Sequence, residues 1–439
     1  HNKNPRKLLA ELSSKIYSQK PKNLVAVTGT NGKSSITNFF HQILSLNNKP
    51  VSSIGTLGIN INKKEIQTKN TTLDSLLLNK YLQHIKKNKI DNVILEASSH
   101  GLKQNRLDYI KFDIGIFTNL SRDHLDYHRS FKDYLNSKLI LFKRLMKKKS
   151  KVIFNDNIKE SNLLKKICKK NNIKTVILGK MNSDLNIINH FYESDKQIVN
   201  FFYKKNFYKF ETKLIGKIQV YNLLMAMLAA HQSKVSIKKI LNILKKIKPV
   251  NGRMEQIGIV KNNAKIILDY AHTPDALQIC LINIKEQFKN RKINIVFGCG
   301  GERDKPKRKL MGHIANKYCD KIYLTDDNPR SENPSQIRSQ IKNKIFKRKL
   351  IEIPSREKAI SSSIENLKSG EILLVAGKGH EIYQDYKKRK FFSDKKCILR
   401  HLKNKNKNLS ADWKLNIINE QIPHKNRIKK INKINSASI

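Results

Sequence analysis

The residue types most capable of chemistry in this chain fall in a few short stretches. Asp327-Asn328-Pro329-Arg330 sets a carboxylate, an amide and a guanidinium within four residues, on a turn stiffened by proline. Such a group can grip an amino acid through charge-assisted, bidentate hydrogen bonds. Thr28-Gly29-Thr30-Asn31-Gly32-Lys33-Ser34-Ser35 has the make-up of a phosphate loop. Its glycines let the backbone wrap an anion, and a helix starting at Lys33 would add a favourable dipole. Lys33 would reach the terminal phosphates of a nucleotide and the Ser34 hydroxyl could ligate Mg²⁺. The spacing is two residues shorter than the general phosphate-loop pattern, because position 27 is valine. Glu96-Ala97-Ser98-Ser99-His100-Gly101 offers a carboxylate and hydroxyls for a metal beside that loop, and Thr118–His128 adds further polar side chains and two histidines.

Elements that could position these groups are legible as alternating apolar runs and helical patterns. Leu24–Thr28, Asn92–Glu96 and Asp113–Thr118 read as buried strands, with helices at Lys33–Leu46 and Phe131–Leu145. Residues 151–215 are rich in lysine and asparagine with short strands, and helices follow at Val220–His231 and Ile237–Lys246. A second series carries strands at Ile266–Asp269, Ile293–Phe297, Lys321–Thr325 and Glu371–Ala376. Chemistry-bearing residues thus fall at strand ends, where open α/β sheets bind ligands. The expected fold is α/β: a central P-loop ATPase domain with a mostly parallel sheet, plus a C-terminal Rossmann-like α/β domain. Pro249–Gly252 reads as a linker, giving domains at 23–248 and 249–404, a lead at 1–22 and a basic tail at 405–439.

Composition narrows the classes. The 439 residues suffice for two or three cored domains, and no apolar run nears the roughly 18 residues of a membrane span. Five cysteines without paired spacing fit free thiols in a reducing cytoplasm. Lys and Arg number 88 against 35 acidic residues, a net charge of +53 that raises nucleic acid as a partner. The lysines are spread along the whole chain and lack an aromatic RNA-binding signature, so nucleic acid is not expected.

Taken together these stretches resemble the Mur ligases, the ATP-dependent amide-forming enzymes of peptidoglycan precursor synthesis. The resemblance runs from about residue 3 to about 400 and includes Gly252-Arg253-Met254-Glu255, Asp269–Pro274, Gly300–Arg308 and Gly377-Lys378-Gly379-His380-Glu381. The Asp-Asn-Pro-Arg form is the one associated, in that family, with adding meso-diaminopimelate to UDP-N-acetylmuramoyl-L-alanyl-D-glutamate. The resemblance implies ATP and Mg²⁺ as cofactors and an acyl-phosphate route in the cytoplasm, by a monomer with no membrane partner. It implies catalytic roles for Lys33, Glu96, His124 and Lys138. ATP would meet Gly29, Thr30, Asn31, Gly32, Lys33, Ser34, Ser35, Asn222, Arg253, Asp269 and His272. Thr71, Thr72, Ser99, Gln104 and Arg106 match contacts to the UDP-muramoyl-dipeptide. Arg303, Asp327, Asn328, Pro329, Arg330, Gly377 and Glu381 match the diaminopimelate pocket. Metal ligands would be Ser34, Glu96, His124 and Lys138, the last as N6-carboxylysine. A carbamate there turns a cation into an anion that can sit beside Mg²⁺.

The chain departs from the family pattern in places. Ser34 stands where threonine is usual and Leu73 where proline is common. Residues 1–22 look like the exit segment of a missing N-terminal domain, and the stretch from Ala411 does not continue the resemblance. Competing readings are a folylpolyglutamate synthase, a basic P-loop nucleic-acid-binding protein, and a fragment that binds ATP without turnover.

Overall fold

The structure, a computed structural model, describes residues 3–405 except 62–63, 181–182, 194 and 261–262. The tail read beyond residue 405 lies outside the described residues. Two large sheets organise the rest. The first is built from β1 (Asn23–Thr28), β2 (Val51–Gly55), β3 (Gly58–Ile61), β4 (Lys64–Ile66), β5 (Asn92–Glu96), β6 (Phe112–Phe117), β7 (Met146–Asn155), β8 (Lys174–Gly179), β9 (Leu185–Glu193), β10 (Lys196–Tyr203) and β11 (Asn206–Thr212). Its order is β11-β10-β9-β8-β7-β6-β1-β5-β2-β3-β4. The centre, from β2 to β9, is parallel, and both margins are antiparallel.

Covering of both faces explains why β1 is apolar from Leu24 to Val27. Val25 and Val27 point into a core with Phe39, Phe40 and Ile43 of the helix Lys33–Leu46 and Leu223 and Met227 of the helix Lys217–Gln232. Leu24 and Ala26 point the other way, into a core with Leu82, Ile85 and Phe142. β1 lies between β5 and β6, so three strand ends carrying polar motifs emerge side by side.

The second sheet comprises β12 (Glu255–Ile259), β13 (Lys265–Asp269), β14 (Ile293–Phe297), β15 (Lys321–Leu324), β16 (Leu350–Glu352) and β17 (Ile372–Ala376). Its order is β12-β13-β17-β14-β15-β16, parallel except for β12. A hairpin of β18 (Tyr383–Tyr386) and β19 (Lys388–Phe391) follows. Backbone amides of Gly216 and Ile218 donate to Gln287 and Asn283, joining the two sheets' layers.

Two expectations shift in detail. The helix expected over Phe131–Leu145 is α-helical only to Ile140, and Leu141–Leu145 form a π turn. The segment 151–215 carries strands of up to nine residues, longer than expected, because lysines and asparagines on the exposed side hide their alternation. Among the described residues no helix is long and apolar enough to cross a membrane.

Candidate active site

β1 delivers the phosphate loop. Gly32 caps the following helix with φ of +89°, and a Cβ there would lie 2.6 Å from Asn222 Oδ1. Glycine is therefore required by both conformation and space. No side chain caps this helix, which leaves its N-terminus open to an anion. The loop is laced to the end of β6: Thr30 N donates to Asn119 O at 2.9 Å and Thr118 Oγ1 donates to Asn31 O at 2.6 Å. Lys33 Nζ folds back onto the carbonyls of Gly29 (3.0 Å) and Thr30 (2.8 Å).

Glu96, at the end of β5, meets the loop from the side. It accepts from Ser34 Oγ at 3.1 Å, Thr56 N at 2.8 Å and Thr56 Oγ1 at 3.0 Å. A carboxylate next to a hydroxyl is a hard oxygen set that suits Mg²⁺, which binds one or two carboxylates and completes its shell with phosphate and water. Among the described residues no cluster of three or more His, Cys, Asp or Glu side chains forms a ready cage. That sparse set fits a cation arriving with phosphate oxygens. His124 adds a nitrogen donor from a left-handed turn (φ 54°), and burial holds its pKa down at about 4, leaving the imidazole neutral.

Lys138 is almost wholly buried, and its Nζ donates to Gly29 O at 2.7 Å. The same carbonyl therefore receives two lysines. Burial, then the neighbouring Lys33, holds the Lys138 amine well below its ordinary range. Burial likewise lowers Lys33. The Tyr134 ring lies 4.3 Å from Lys138 Nζ, and its hydroxyl meets Thr30 Oγ1 at 3.1 Å.

The loop, Glu96, His124 and Lys138 line a cavity of about 250 Å³ that Asn222, Arg253, Asp269 and His272 close from the other side. Arg253 stacks 4.4 Å over the Tyr270 ring. Asp269 accepts from the amides of Met254 (2.7 Å) and Ala271 (2.8 Å), and burial raises its pKa.

A second cavity, about 300 Å³, is lined by Arg303, Asp327, Asn328, Arg330, Gly377 and Glu381. Asp123, His124, Tyr270 and His272 line both cavities, so the two adjoin. Asp327 Oδ2 is buried without a hydrogen-bond partner, 3.9 Å from Arg356 Nη1. A Cβ at Gly377 (φ +111°) would stand 2.7 Å from that oxygen. Arg330 sits in the left-handed region (φ 57°), held by backbone bonds on both sides to Asp385 (2.8 Å) and Lys387 (2.9 Å). Pro329 shapes the turn and does not line the cavity.

Of the residues expected at the muramoyl-dipeptide, Thr71 and Ser99 line the first cavity. Thr72, Gln104 and Arg106 lie outside both linings and are linked to one another and to Tyr127: Arg106 Nη1 donates to Thr72 O at 2.6 Å, Arg106 Nη2 to Gln104 Oε1 at 2.7 Å, and Gln104 Nε2 to Tyr127 Oη at 3.0 Å. Arg303 reaches across to Asp126 at 3.2 Å. Sequence reading missed Thr56 and Tyr134, which carry no motif, and Asp123 and Tyr270, which stood inside quoted motifs without a role.

Residues 27–230 match the family model described as Mur ligase middle domain, and 252–379 match Mur ligase, glutamate ligase domain. This chain belongs to the Mur ligase family. Among its Mur ligase relatives, the UDP-N-acetylmuramoyl-L-alanyl-D-glutamate–2,6-diaminopimelate ligase of Rickettsia montanensis is 42% identical over 393 residues, covering 87% of this chain and 81% of the relative. A solved structure of a ligase with the same name shares 32% identity at a TM-score of 0.65, over 91% of this chain and 82% of that one. A folylpolyglutamate synthase from Mycobacterium tuberculosis, complexed with ADP and AMPPCP, has a TM-score of 0.69 at 14% identity, over 85% and 92%, a likeness of fold.

Proposed function

We propose that this chain is an ATP-dependent amide ligase joining meso-2,6-diaminopimelate to the γ-carboxyl of UDP-N-acetylmuramoyl-L-alanyl-D-glutamate. The observation that carries the reading is the shared wall of His124, Tyr270 and His272 between the phosphate-loop cavity and the Asp327–Arg330 cavity. An activated carboxyl formed in the first would meet an amine held in the second. The 42% identity to a relative bearing that ligase name supports the choice of substrates.

The chemistry has two steps. The D-glutamate carboxylate attacks the γ-phosphorus of ATP, giving an acyl phosphate and ADP. The diaminopimelate amine then attacks the acyl carbon, phosphate leaves with the C–O bonding pair, and one proton is lost from nitrogen. Lys33 exchanges its contacts with Gly29 and Thr30 for phosphate oxygens, and the open helix N-terminus binds the anion left on them. Ser34, Glu96, His124 and a carbamate on Lys138 would hold Mg²⁺, which when bound neutralises charge on the phosphoryl oxygens. Lys138 is suited to carbamylation because burial beside Lys33 favours its neutral amine, which adds to CO₂ with loss of a proton. Arg253 and Asn222 orient the nucleotide, and Thr71 and Ser99 the muramoyl peptide. Arg330, Asn328, Glu381 and Asp327 Oδ2, which accepts no hydrogen bond from the described residues, receive the charged groups of diaminopimelate. Residues 23–248 and 249–404 act as two domains whose closure gates turnover. The same reading has the enzyme working as a monomer in the cytoplasm.

Phosphate release with ATP, Mg²⁺ and UDP-muramoyl-dipeptide tests this, with diaminopimelate, L-lysine or L-glutamate added in parallel. Release with diaminopimelate well above that with the other two is expected. Equal release with all three, or preference for L-lysine, would refute the substrate reading.

A further inference from the structure

We infer that Lys378, which lines neither cavity, is the positioning residue that sets the second cavity's selectivity for a doubly charged amino-acid centre; this rests on the function proposed above. Lys378 lies between two glycines in left-handed conformations, Gly377 (φ 111°) and Gly379 (φ 50°), and its side chain is wholly buried. Its Nζ donates to Asn328 Oδ1 at 3.0 Å and to Glu381 Oε2 at 3.0 Å. Both partners line the cavity.

The bonds decide how those partners face a ligand. An amide can present either end, and at Asn328 the choice is made from behind. Its Oδ1 accepts from Lys378 and from Asp385 N (3.0 Å), which turns Nδ2 toward Glu381 Oε2 at 3.1 Å. Glu381 is tied at its other oxygen by Tyr270 Oη at 3.2 Å. The carboxylate is thereby fixed at both ends, and its charge is balanced by one buried ammonium. Balance matters because Arg330, Arg303, Arg122 and Lys307 supply the cavity's positive side. A far-end group bearing both a carboxylate and an ammonium needs separate positive and negative partners at fixed spacing. L-Lysine offers only the ammonium there. Asp385 N still fixes the Asn328 amide without Lys378, but Glu381 loses its cationic partner and is free to swing to a cavity arginine, erasing that division.

The test compares the full chain with Lys378→Met, Glu381→Gln and the double variant, reading kcat/KM for diaminopimelate and L-lysine together with KM for ATP. Lys378→Met is expected to lower the diaminopimelate-to-lysine preference by about 10–100-fold, the effect of leaving buried polar groups unpaired, with KM for ATP unchanged. The double variant should show the same preference as Glu381→Gln alone, because the ammonium acts through that carboxylate. It should also melt above Lys378→Met, since no uncompensated anion remains. A preference unchanged in Lys378→Met, losses that simply add in the double variant, or failure of both Lys378 variants to fold would overturn the inference. If the parent chain itself shows no preference for diaminopimelate, the proposed function falls and takes this inference with it.

Discussion

Lys138 illustrates how much a single residue's meaning depends on its surroundings. In sequence it is one of 88 basic residues. In the fold it is buried against Gly29 O and the Tyr134 ring, beside the phosphate-loop lysine Lys33. Lys138→Ala is expected to lower kcat by about 10²-fold or more, in line with loss of a charge-stabilising group, with a smaller change in KM for diaminopimelate. Steady-state phosphate release checks this, and acetate or formate added at high concentration should restore part of the lost rate. An alanine variant with parental kcat would remove Lys138 from the mechanism. Glu96 was readable as a metal-side carboxylate from its motif, but Thr56, which holds both its oxygens, lies forty residues away and could not be paired with it from sequence.

At the scale of elements, the second cavity depends on buried charge at two helix starts. Arg356 begins the helix Arg356–Glu365 and Asp394 begins Asp394–Lys405. Their side chains are wholly buried and joined in a fork, Nε to Oδ1 and Nη2 to Oδ2, each at 2.7 Å. Arg356 Nη2 also donates to Ala376 O, the end of β17. Breaking such a pair leaves an uncompensated buried charge. Arg356→Met should therefore cost about 3–5 kcal/mol in urea unfolding, whereas Arg356→Met with Asp394→Leu should recover much of it. A single-variant cost below about 1 kcal/mol would show that the pair is not desolvated as its burial indicates. Strands β1, β5, β6, β13, β14, β15 and β17 were largely visible as apolar runs, whereas the short β16 was not read. The margin β7 to β11 was blurred because one face is polar and exposed, so its runs look broken.

Across the whole molecule, several half-buried histidines are held neutral. Burial sets the pKa of His41 and His100 at about 4 and that of His380 at about 3. Unfolded, each would take up a proton near pH 6.5, whereas folded it does not until about pH 4 or below. The unfolded chain binds more protons in that window, so stability must fall as pH drops from 6.5 to 4. Urea midpoints measured between pH 7 and 4 should decline steadily, and His41→Gln should flatten the decline. A midpoint independent of pH across that window would contradict the burial of these rings. Charge acts at this scale too: a net +53 should draw a polyanionic substrate, and kcat/KM for the muramoyl nucleotide should fall as salt is raised.

The sequence alone determined the chemistry on offer: a phosphate loop, a carboxylate beside it and an Asp-Asn-Pro-Arg turn. Those signals are local, because glycine conformations, helix starts and apolar periodicity are written over a few residues. Only the tertiary structure decided that two cavities share His124, Tyr270 and His272, and that Thr72, Gln104 and Arg106 are linked to one another outside both linings. It also decided that Lys378 stands behind the cavity it orders. Contacts between residues dozens to hundreds of positions apart follow from strand order and helix packing, which no short stretch of sequence specifies.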